Sequence, residues 1–488
     1  MGKIAISILA VLLALAAIVV VRTMMHQPES LADVARVDVV VDEQTVARHL
    51  AEAVRFKTVS HQNPADFDSS QFEGFIEWVI DTYPEVNAAM ELVRLGDYTL
   101  LYRWPGSDDS LQSILLTGHY DVVPVIPGSE ELWEQPPYAG VIVDEVIWGR
   151  GTLDDKSAVI AQLEAATILL RRGHSPKRTI YFSFGHDEEL GGTRGAAEVV
   201  RYLGEQGVQL AWSLDEGSFL FDGMLPGVEP LMAAINVAEK GSVTLQIVAK
   251  SAGGHSSMPP QQTAVGMLAE AIVKLEAEPV PGGLSGLSEQ MFDTASRYMP
   301  FSLRMLFANR WLFGGVIEDQ LSAVAFSNAM LRTTTAPTML AGSVKVNVLP
   351  IEAVATVNFR VHPRDTPQSV IDHVKTVVAG DNIEVRVPAG SGRAASEVSD
   401  WNSIGFETIK RAVREIYGEV VVTPGLMIAG SDSRHYGKVA DNAFRFNPMT
   451  VSQDDLTGFH GTNEKISVDN LAQGTRTYVQ IIALGTGN

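Results

Sequence analysis

The residues best suited to chemistry are histidines and acids spread over five stretches of the chain. They are His119 with Asp121, the pair Asp154 and Asp155, the pair Glu188 and Glu189, Asp215, and His460. Each stretch lies where an apolar, strand-like run gives way to a loop, so rigid strands could deliver nitrogen and oxygen ligands to one open position. Carboxylates and imidazoles with a spare glutamate beside them are typical of hydrolases that activate water. The pattern predicts a hydrolase that uses two metal ions.

The first two stretches differ in how they could act. His119 and Asp121 are two apart at a predicted strand end, where a period of two points both side chains the same way. His119 could bind a metal while Asp121 holds the other ring nitrogen, although a lone His-x-Asp pair could also be structural. Asp154 follows a glycine-bearing loop and could bridge two metals about 3.5–4 Å apart. The alternative is that Asp154 and Asp155 merely cap the helix that follows.

Three consecutive acids, residues 187–189, follow a very apolar run. They repel one another at the mouth of a buried strand unless cations neutralise them; the alternative is a solvated loop. In the functional interpretation Glu189 binds a metal, and Glu188 stays free to take a proton from water and pass it to the leaving amine. Asp215, at the end of the next strand, would complete the first metal site, and His460 would complete the second.

The composition limits the classes of protein that fit. A chain of 488 residues is too long for one typical core, so two or three domains are expected. A hydrophobic share of 46% indicates a globular protein. The net charge of -21 argues against nucleic acid as a partner, because phosphate binding needs a basic face. The chain has no cysteine, which excludes disulfides, thiol nucleophiles and Cys-ligated zinc.

The N-terminal segment predicts contact with a membrane. Residues 4–21 are uncharged and lie between Lys3 and Arg22, which is just long enough for a span. Apolar residues continue beyond a possible cleavage signal at 14–16, which favours an uncleaved signal anchor over a signal peptide. The flanking charges favour an enzyme outside the cytoplasm, in a periplasmic, lumenal or extracellular space. Cleavage of the segment would make the protein secreted.

The middle of the chain predicts a mixed α/β sheet followed by a smaller α+β unit. Strand-like runs at 99–102, 114–117, 179–184 and 210–214 accompany helical patterns at 42–54 and 157–172. From about residue 237 the strands alternate, at 242–249, 353–361 and 383–387, with helices predicted at 262–275 and 366–378.

The predicted fold is therefore an α/β catalytic domain with a mixed sheet, interrupted by a small α+β lid domain. The predicted divisions are the signal or anchor segment 1–22, a stalk 23–40, a first catalytic segment 41–238, the inserted lid 239–390 and a second catalytic segment 391–488.

Four motifs carry a resemblance to a known family. They are GHYDVVP at 118–124, GRGTLDDK at 149–156, DEE at 187–189 and HGTNEKI at 460–466. Together they resemble the aminoacylase and carboxypeptidase S family of dizinc metallohydrolases. RTTTAPT at 332–338 and KVNVLP at 345–350 look like the carboxypeptidase S branch, which includes secreted N-acyl-amino-acid hydrolases.

The resemblance implies two zinc ions per chain, although carboxylate and imidazole ligands also suit manganese or cobalt. It implies that His119, Asp154 and Asp215 hold one zinc, and that Asp154, Glu189 and His460 hold the other. It also makes Glu188 the general base and Asp121 the support of His119.

The resemblance further implies a lid that often forms a homodimer, with His255 from the segment GGHSS at 253–257 offered to the reacting carbonyl oxygen. Small neighbours in a flexible loop also make His255 a good oxyanion stabiliser. Candidates for gripping a substrate carboxylate are Asn347, Arg360, and Ser431 and Arg434 of the loop 430–434. An arginine fork suits that task, although an arginine on a strand is often a surface residue.

The aromatic-rich segment 291–316 leaves two interpretations open. It packs inside the lid, or it forms an apolar lip that admits acyl chains or touches the membrane.

The sequence predicts a zinc-dependent hydrolase that cleaves an amide bond next to a free carboxylate, as a carboxypeptidase or an N-acyl-amino-acid amidohydrolase. The substrate would be a small peptide or an N-acyl amino acid. The alternatives are an aminopeptidase or dipeptidase of the same fold, or a non-catalytic, membrane-tethered metal-binding protein.

Overall fold

The computed structural model describes residues 2–30, 34–223 and 225–487. The helices are α1 (Gly2–Met25), α2 (Glu43–Val54), α3 (Ser69–Thr82), α4 (Pro84–Ala89), α5 (Lys156–Arg171), α6 (Ala196–Glu205), α7 (Ala264–Ala277), α8 (Leu287–Ser296), α9 (Phe301–Ala308), α10 (Arg310–Ser322), α11 (Ala325–Leu331), α12 (Pro367–Val377), α13 (Ile404–Tyr417), α14 (Ser433–Tyr436) and α15 (Val468–Thr486). The strands are β1 (Glu91–Leu95), β2 (Thr99–Trp104), β3 (Ser113–His119), β4 (Val141–Val143), β5 (Val146–Trp148), β6 (Ile180–Gly185), β7 (Leu210–Asp215), β8 (Leu220–Phe221), β9 (Met232–Glu239), β10 (Gly241–Lys250), β11 (Gly254–His255), β12 (Thr334–Ala341), β13 (Val348–Leu349), β14 (Glu352–Val361), β15 (Ile383–Arg386), β16 (Gly392–Arg393), β17 (Val421–Met427), β18 (Ala443–Arg445), β19 (Thr450–Val451) and β20 (Lys465–Ser467).

A large mixed sheet forms the main body. Its strands follow the order β1-β2-β6-β3-β7-β18-β9-β8-β19, and β17 pairs with β9. The central strands β3, β6 and β7 pair in parallel, whereas β1, β2 and β6 pair antiparallel. Nearly every residue of the central strands is buried because helices cover both faces of the sheet. The prediction of a mixed α/β sheet with strands at these positions is confirmed.

The parallel strands bring three of the chemical stretches to one edge. His119 ends β3 and pairs in register with Gly185 at the end of β6. The acids 187–189 follow β6 directly, and Asp215 is the last residue of β7. Carboxyl ends of neighbouring parallel strands share one edge of a sheet, which is where α/β proteins place their ligands. The fold therefore gathers residues that are up to a hundred positions apart.

A smaller sheet has its own apolar core. Its order is β12-β14-β10-β15, with β16 also paired to β10. Helices α7 and α12 pack on this sheet, and their apolar residues share one cluster with β10 and β14. The three predicted strands and two predicted helices are confirmed. Strand β12 was missed, because most of its residues are exposed and it lacks the alternation that marks a half-buried strand. The division of the chain at residues 239 and 390 stays a prediction.

Helices α8 to α11 correct one expectation about the segment 291–316. They follow α7 in the chain, yet α8 packs against β17 of the main sheet. Leu287, Met291 and Ala295 share one face of α8, at a spacing of four, and belong to the main core. The segment therefore does not pack inside the smaller unit.

Helix α1 is long and apolar enough to cross a membrane, or to serve as a signal sequence. Most of its side chains are exposed, and its last turns contact α9. The helix extends to Met25, into the predicted stalk; stalk residues 31–33 lie outside the described residues.

Candidate active site

Four of the predicted ligands converge at the edge of the main sheet. His119 Nε2 lies 3.1 Å from Asp154 Oδ1, and His460 Nε2 lies 3.1 Å from Asp154 Oδ2. His460 Nε2 also lies 3.4 Å from Glu189 Oε2. One ligand atom from each of His119, Asp154 and Glu189 falls within 4.8 Å of the others. Asp154 is thus the common neighbour of both histidines, one on each carboxylate oxygen.

Asp215 lies deeper in the same region. Its Oδ1 accepts a hydrogen bond from Thr117 Oγ1 at 3.4 Å, and burial raises the pKa of Asp215 to about 6. Its electrostatic interaction with His119 places it near the site, although it is not part of the cluster around Asp154.

The donor set fits a bound metal cation. Among the described residues, Asp215 Oδ2 and Glu189 Oε1 are buried without a hydrogen-bond partner. Burial raises the pKa values of Glu188 and Glu189, and neighbouring carboxylates raise them further. Buried carboxylates that lack partners are costly unless a cation compensates them. Imidazole nitrogen and carboxylate oxygen suit zinc, and also manganese or cobalt.

Asp121 ties His119 to the acidic loop. Its Oδ1 lies 3.4 Å from His119 Nδ1 and accepts a hydrogen bond from the backbone N–H of Glu188 at 3.2 Å. Its Oδ2 accepts from the backbone N–H of Glu189 and from Ser60 Oγ, at 3.2 and 2.6 Å. His119 Nδ1 also lies 3.0 Å from the backbone carbonyl oxygen of Asp121, so this fully buried residue orients the imidazole and the backbone of the two glutamates together, as expected for a group that supports a metal ligand.

A buried carboxylate joins the two distant chain segments that hold Asp154 and His460. Glu464 is fully buried and accepts hydrogen bonds from three backbone N–H groups of the segment 151–154. It also pairs with Arg150, whose Nη1 lies 2.7 Å from Glu464 Oε2. Arg150 Nη2 in turn donates to the carbonyl oxygen of Gly461, beside His460. The position of His460 relative to Asp154 depends on this network.

His460 itself has an unusual backbone conformation. Its φ is 55°, in the left-handed region that few residues other than glycine adopt. Such conformations persist where the surroundings impose them, and they concentrate at functional sites. The observation supports a functional role for the imidazole.

A large cavity opens beside these groups, with a volume of about 810 Å³. Asp154, Glu188, Glu189 and His460 line one part of it. The apolar side chains along its wall are Phe219, Phe221, Leu225, Met232, Met291, Phe292, Phe326, Met330, Leu426, Met427, Ile428, Leu456 and Phe459. Three arginines, Arg360, Arg393 and Arg434, also line it. The cavity thus combines an acidic cluster, cationic side chains and an extensive apolar wall.

The structure places the remaining predicted residues in different surroundings. Arg360 and Arg434 line the cavity, as a role in substrate binding requires. Ser431 does not: it is buried, and its hydroxyl donates to Glu239 Oε2 at 3.3 Å, so its contact with substrate stays a prediction. His255 is exposed on β11, which pairs with β13, and Asn347 directly precedes β13. Neither residue lines the cavity in this chain.

Two residues that sequence reasoning missed also line the cavity. Glu216 follows Asp215, and burial raises its pKa well above the ordinary value. Its position next to a predicted ligand, at the end of a strand, is the sequence feature that could have identified it as a residue of the site. Arg393 is paired with buried Glu239 at 2.7 Å, across 154 residues of sequence, and no local pattern marks that pair.

Imidazoles and carboxylates at the carboxyl edge of a mixed sheet, beside a largely apolar cavity, form the arrangement of a metal-dependent hydrolase. The peptidase family M20/M25/M40 matches residues 115–484, and the chain therefore belongs to that family. It is a metallopeptidase-class enzyme that hydrolyses amide bonds, as the sequence predicted.

Two relatives match almost the whole chain. A probable carboxypeptidase S-like 2 of Dictyostelium discoideum is 39% identical over 441 residues, covering 90% of this chain and 84% of the relative. The N-fatty-acyl-amino acid synthase/hydrolase PM20D1 of Mus musculus is 37% identical over 436 residues, covering 88% of this chain and 86% of the relative. The predicted resemblance to the carboxypeptidase S-like branch is confirmed.

Solved structures share the fold at low identity. The M20 family metallo-carboxypeptidase Sso-CP2 of Sulfolobus solfataricus has a TM-score of 0.62 at 18% identity, covering 92% of this chain and 100% of that chain. Human carnosine dipeptidase 1 has a TM-score of 0.61 at 17% identity, covering 91% and 96%.

The Glu464 network predicts a large loss of stability for Glu464→Gln. The substitution leaves the buried guanidinium of Arg150 without its charge partner, which should lower the free energy of unfolding by about 3–5 kcal/mol. Chemical denaturation would measure it. The matched control is Glu85→Gln, whose exposed pair with Arg171 should contribute less than about 1 kcal/mol. Equal losses in the two variants would contradict the structural role of Glu464.

Proposed function

We propose that this enzyme is a dizinc hydrolase of N-acyl amino acids that carry long acyl chains. The observation that carries the proposal is the cavity of about 810 Å³, whose apolar wall, arginines and acidic cluster match the three parts of such a substrate. Pockets of this size and apolar character accommodate ligands of several hundred daltons. The similarity to an N-fatty-acyl-amino acid synthase/hydrolase supports the same substrate class.

In this proposal His119, Asp154 and Asp215 would hold one zinc, and Asp154, Glu189 and His460 would hold the other. Bound metal ions would polarise the scissile carbonyl and make water a better nucleophile at neutral pH. Manganese or cobalt would suit the same donors. The placement of both histidines 3.1 Å from Asp154, one on each oxygen, is the observation that supports including Asp154 in both ligand sets.

Glu188 moves the proton in this scheme. It lines the cavity beside Asp154, and its backbone N–H is fixed by Asp121. As general base it accepts a proton from the attacking water, and it then donates that proton to the nitrogen of the leaving amino acid. The C–N bond breaks as the amine leaves, and the products are a fatty acid and a free amino acid.

The arginines would bind the carboxylate of the substrate. Arg393 is already paired with Glu239 at 2.7 Å, whereas neither Arg360 nor Arg434 forms an ion pair with a carboxylate among the described residues, and Arg434 Nε donates to His435 Nε2. Arg360 and Arg434 are therefore the better candidates for a charge-assisted contact. An aminopeptidase would instead need to bind a free substrate ammonium.

His255 and Asn347 would join the site from outside the cavity. Both lie on the paired strands β11 and β13, or directly beside them, and they are at most partly buried. Movement of the smaller unit, or a second subunit of a homodimer, could bring His255 to the reacting carbonyl oxygen. The exposure of His255 is compatible with either route. In this proposal the enzyme works outside the cytoplasm, attached through α1 or secreted after its removal.

The proton-transfer role predicts a specific outcome for Glu188→Gln. Hydrolysis should fall by about 10²–10⁴-fold, because the amide cannot accept the proton, while the enzyme keeps both metal ions. Metal analysis together with single-turnover kinetics would measure this. The contrasting variant is His460→Ala, which should lose one of two bound metal equivalents. Near-native turnover of Glu188→Gln would exclude Glu188 as the base.

The acyl-binding role of the cavity predicts selective loss in Ala295→Leu. Ala295 lines the cavity, and added side-chain volume there displaces about two methylene groups of a long chain. The ratio kcat/KM for an N-octadecanoyl amino acid should fall about tenfold, with no comparable change for the N-acetyl substrate. Ala308→Leu, at a buried position of α9 away from the cavity wall, is the matched control. Equal losses on both substrates would contradict acyl binding in this cavity.

The arginine contacts predict that Arg434→Gln and Arg360→Gln raise KM for N-acyl amino acids. Loss of a charge-assisted hydrogen bond should raise KM about 10–100-fold, and an N-acyl amine that lacks the carboxylate should be unaffected. Arg103→Gln, which removes an exposed ion pair with Glu91, should leave both substrates unchanged. If KM changes equally for the N-acyl amino acid and the N-acyl amine, the arginines do not bind the substrate carboxylate.

A further inference from the structure

Helix α1 is attached to the body by buried polar contacts near its C-terminal end. Asn309 is fully buried, and its Nδ2 donates to the carbonyl oxygen of Val19 at 3.1 Å and to Thr23 Oγ1 at 3.3 Å. Arg22 Nε donates to the carbonyl oxygen of Ala308 at 3.1 Å. These contacts fix the end of α1 to the junction between α9 and α10.

The attachment lies at one end of a bilayer-length run. Residues 4–21 are uncharged, and eighteen helical residues span about 27 Å, close to the hydrocarbon thickness of a membrane. The membrane-length part of α1 is exposed in the structure. With α1 in a bilayer, the α9–α10 junction lies at the membrane surface.

Exposed apolar side chains surround this junction. Phe301 and Leu303 of α9, and Trp311, Leu312 and Val316 of α10, are between 37% and 55% exposed. We call these five residues the apolar platform. Tryptophan beside aliphatic residues is typical of the boundary between headgroups and acyl chains.

Two chain connections link the helices of the apolar platform to the wall of the substrate cavity. Phe307, on the same helix as Phe301 and Leu303, stacks on Phe292 with ring centroids 6.5 Å apart, and Phe292 lines the cavity. After α10, exposed Val324 leads into α11, where Phe326 both lines the cavity and is 38% exposed. Phe326 therefore lies where an apolar surface meets an apolar interior.

We propose that the apolar platform rests on a lipid bilayer and that acylated substrates pass from the bilayer into the cavity beside Phe326. The inference rests on the proposed function, because it supplies the route for the long acyl chain. The bilayer is the occupant that fits, since the anchored end of α1 places the platform at membrane level. The net charge of -21 makes an electrostatic contact with anionic lipid unfavourable, so insertion depends on apolar side chains.

The contact can be measured without any activity. The chain has no cysteine, so Leu312→Cys, Val316→Cys and the control Val273→Cys, exposed on α7 of the smaller sheet, each accept a single spin label. The full-length protein is placed in phosphatidylcholine vesicles. Labels at 312 and 316 should collide more with oxygen than with a water-soluble nickel chelate, and the label at 273 should do the reverse. Nickel access at all three sites would overturn the proposal, as would spin–spin coupling at 312 that shows a second copy there.

The route is tested with Trp311→Ser/Leu312→Ser/Val316→Ser. For an N-octadecanoyl amino acid presented in vesicles, KM should rise about tenfold with kcat unchanged, because α1 still anchors the enzyme but the cavity entrance no longer rests on the lipid that supplies the acyl chain. The N-acetyl substrate in solution should be unaffected. The control Val273→Ser/Val387→Ser/Ile404→Ser removes three exposed apolar side chains elsewhere and should change neither value.

The two proposals fail in different ways. An unchanged KM for the vesicle-bound substrate, or an equal loss on the N-acetyl substrate, would overturn the membrane route while leaving hydrolysis intact. A wild-type enzyme that does not hydrolyse the long-chain substrate in vesicles or in detergent would overturn the proposed function. In that case the labels at 312 and 316 would still report whether the platform contacts lipid.

Discussion

The geometry of the site depends on one buried carboxylate. Glu464 accepts hydrogen bonds from backbone N–H groups of the segment 151–154 and pairs with Arg150, so it fixes both the loop that carries Asp154 and the segment that carries His460. A buried charge with several well-directed donors is rigid, because any displacement leaves it without compensation. The sheet edge supplies His119, Asp215 and the acidic loop, and this network supplies the rest. Rigid positioning of this kind is what metal catalysis requires of a protein.

Charge is distributed unevenly around the cavity. The acids gather at the sheet edge, where burial raises the pKa values of Glu188, Glu189 and Asp215, while Arg360, Arg393 and Arg434 line another region of the same space. Some of the positive charge is balanced internally, because buried Glu239 pairs with Arg393 and lies 3.5 Å from Arg445. The apolar wall keeps the effective dielectric constant low, which strengthens each of these interactions. A substrate with a carboxylate at one end and a hydrocarbon chain at the other matches this distribution.

Much of this arrangement was readable from the residues, because local patterns mark it. Apolar runs followed by a histidine or by acids located β3, β6 and β7, and helical periodicity located α5 to within one residue. His460 was assigned from its motif, although nothing local shows that it meets Asp154 from 306 positions away. The surfaces against which the helices pack were harder to predict from the sequence. Helix α8 follows α7 directly, yet it packs on the main sheet. This could not be predicted, because an apolar helix face does not indicate which of two cores it packs against. Arg393 was missed because its partner Glu239 is distant in sequence, and β12 because it is exposed at an edge.

The contact between Asp154 and Glu464 also has a consequence for biosynthesis. These residues are 310 positions apart, so at about 5–20 residues per second the ribosome makes the second roughly 15–60 s after the first. During that interval the chain already carries His119 and Asp154, but it lacks His460 and the buried Glu464 that complete the cluster. The candidate site is therefore incomplete on the nascent chain until the segment that carries His460 and Glu464 has been made.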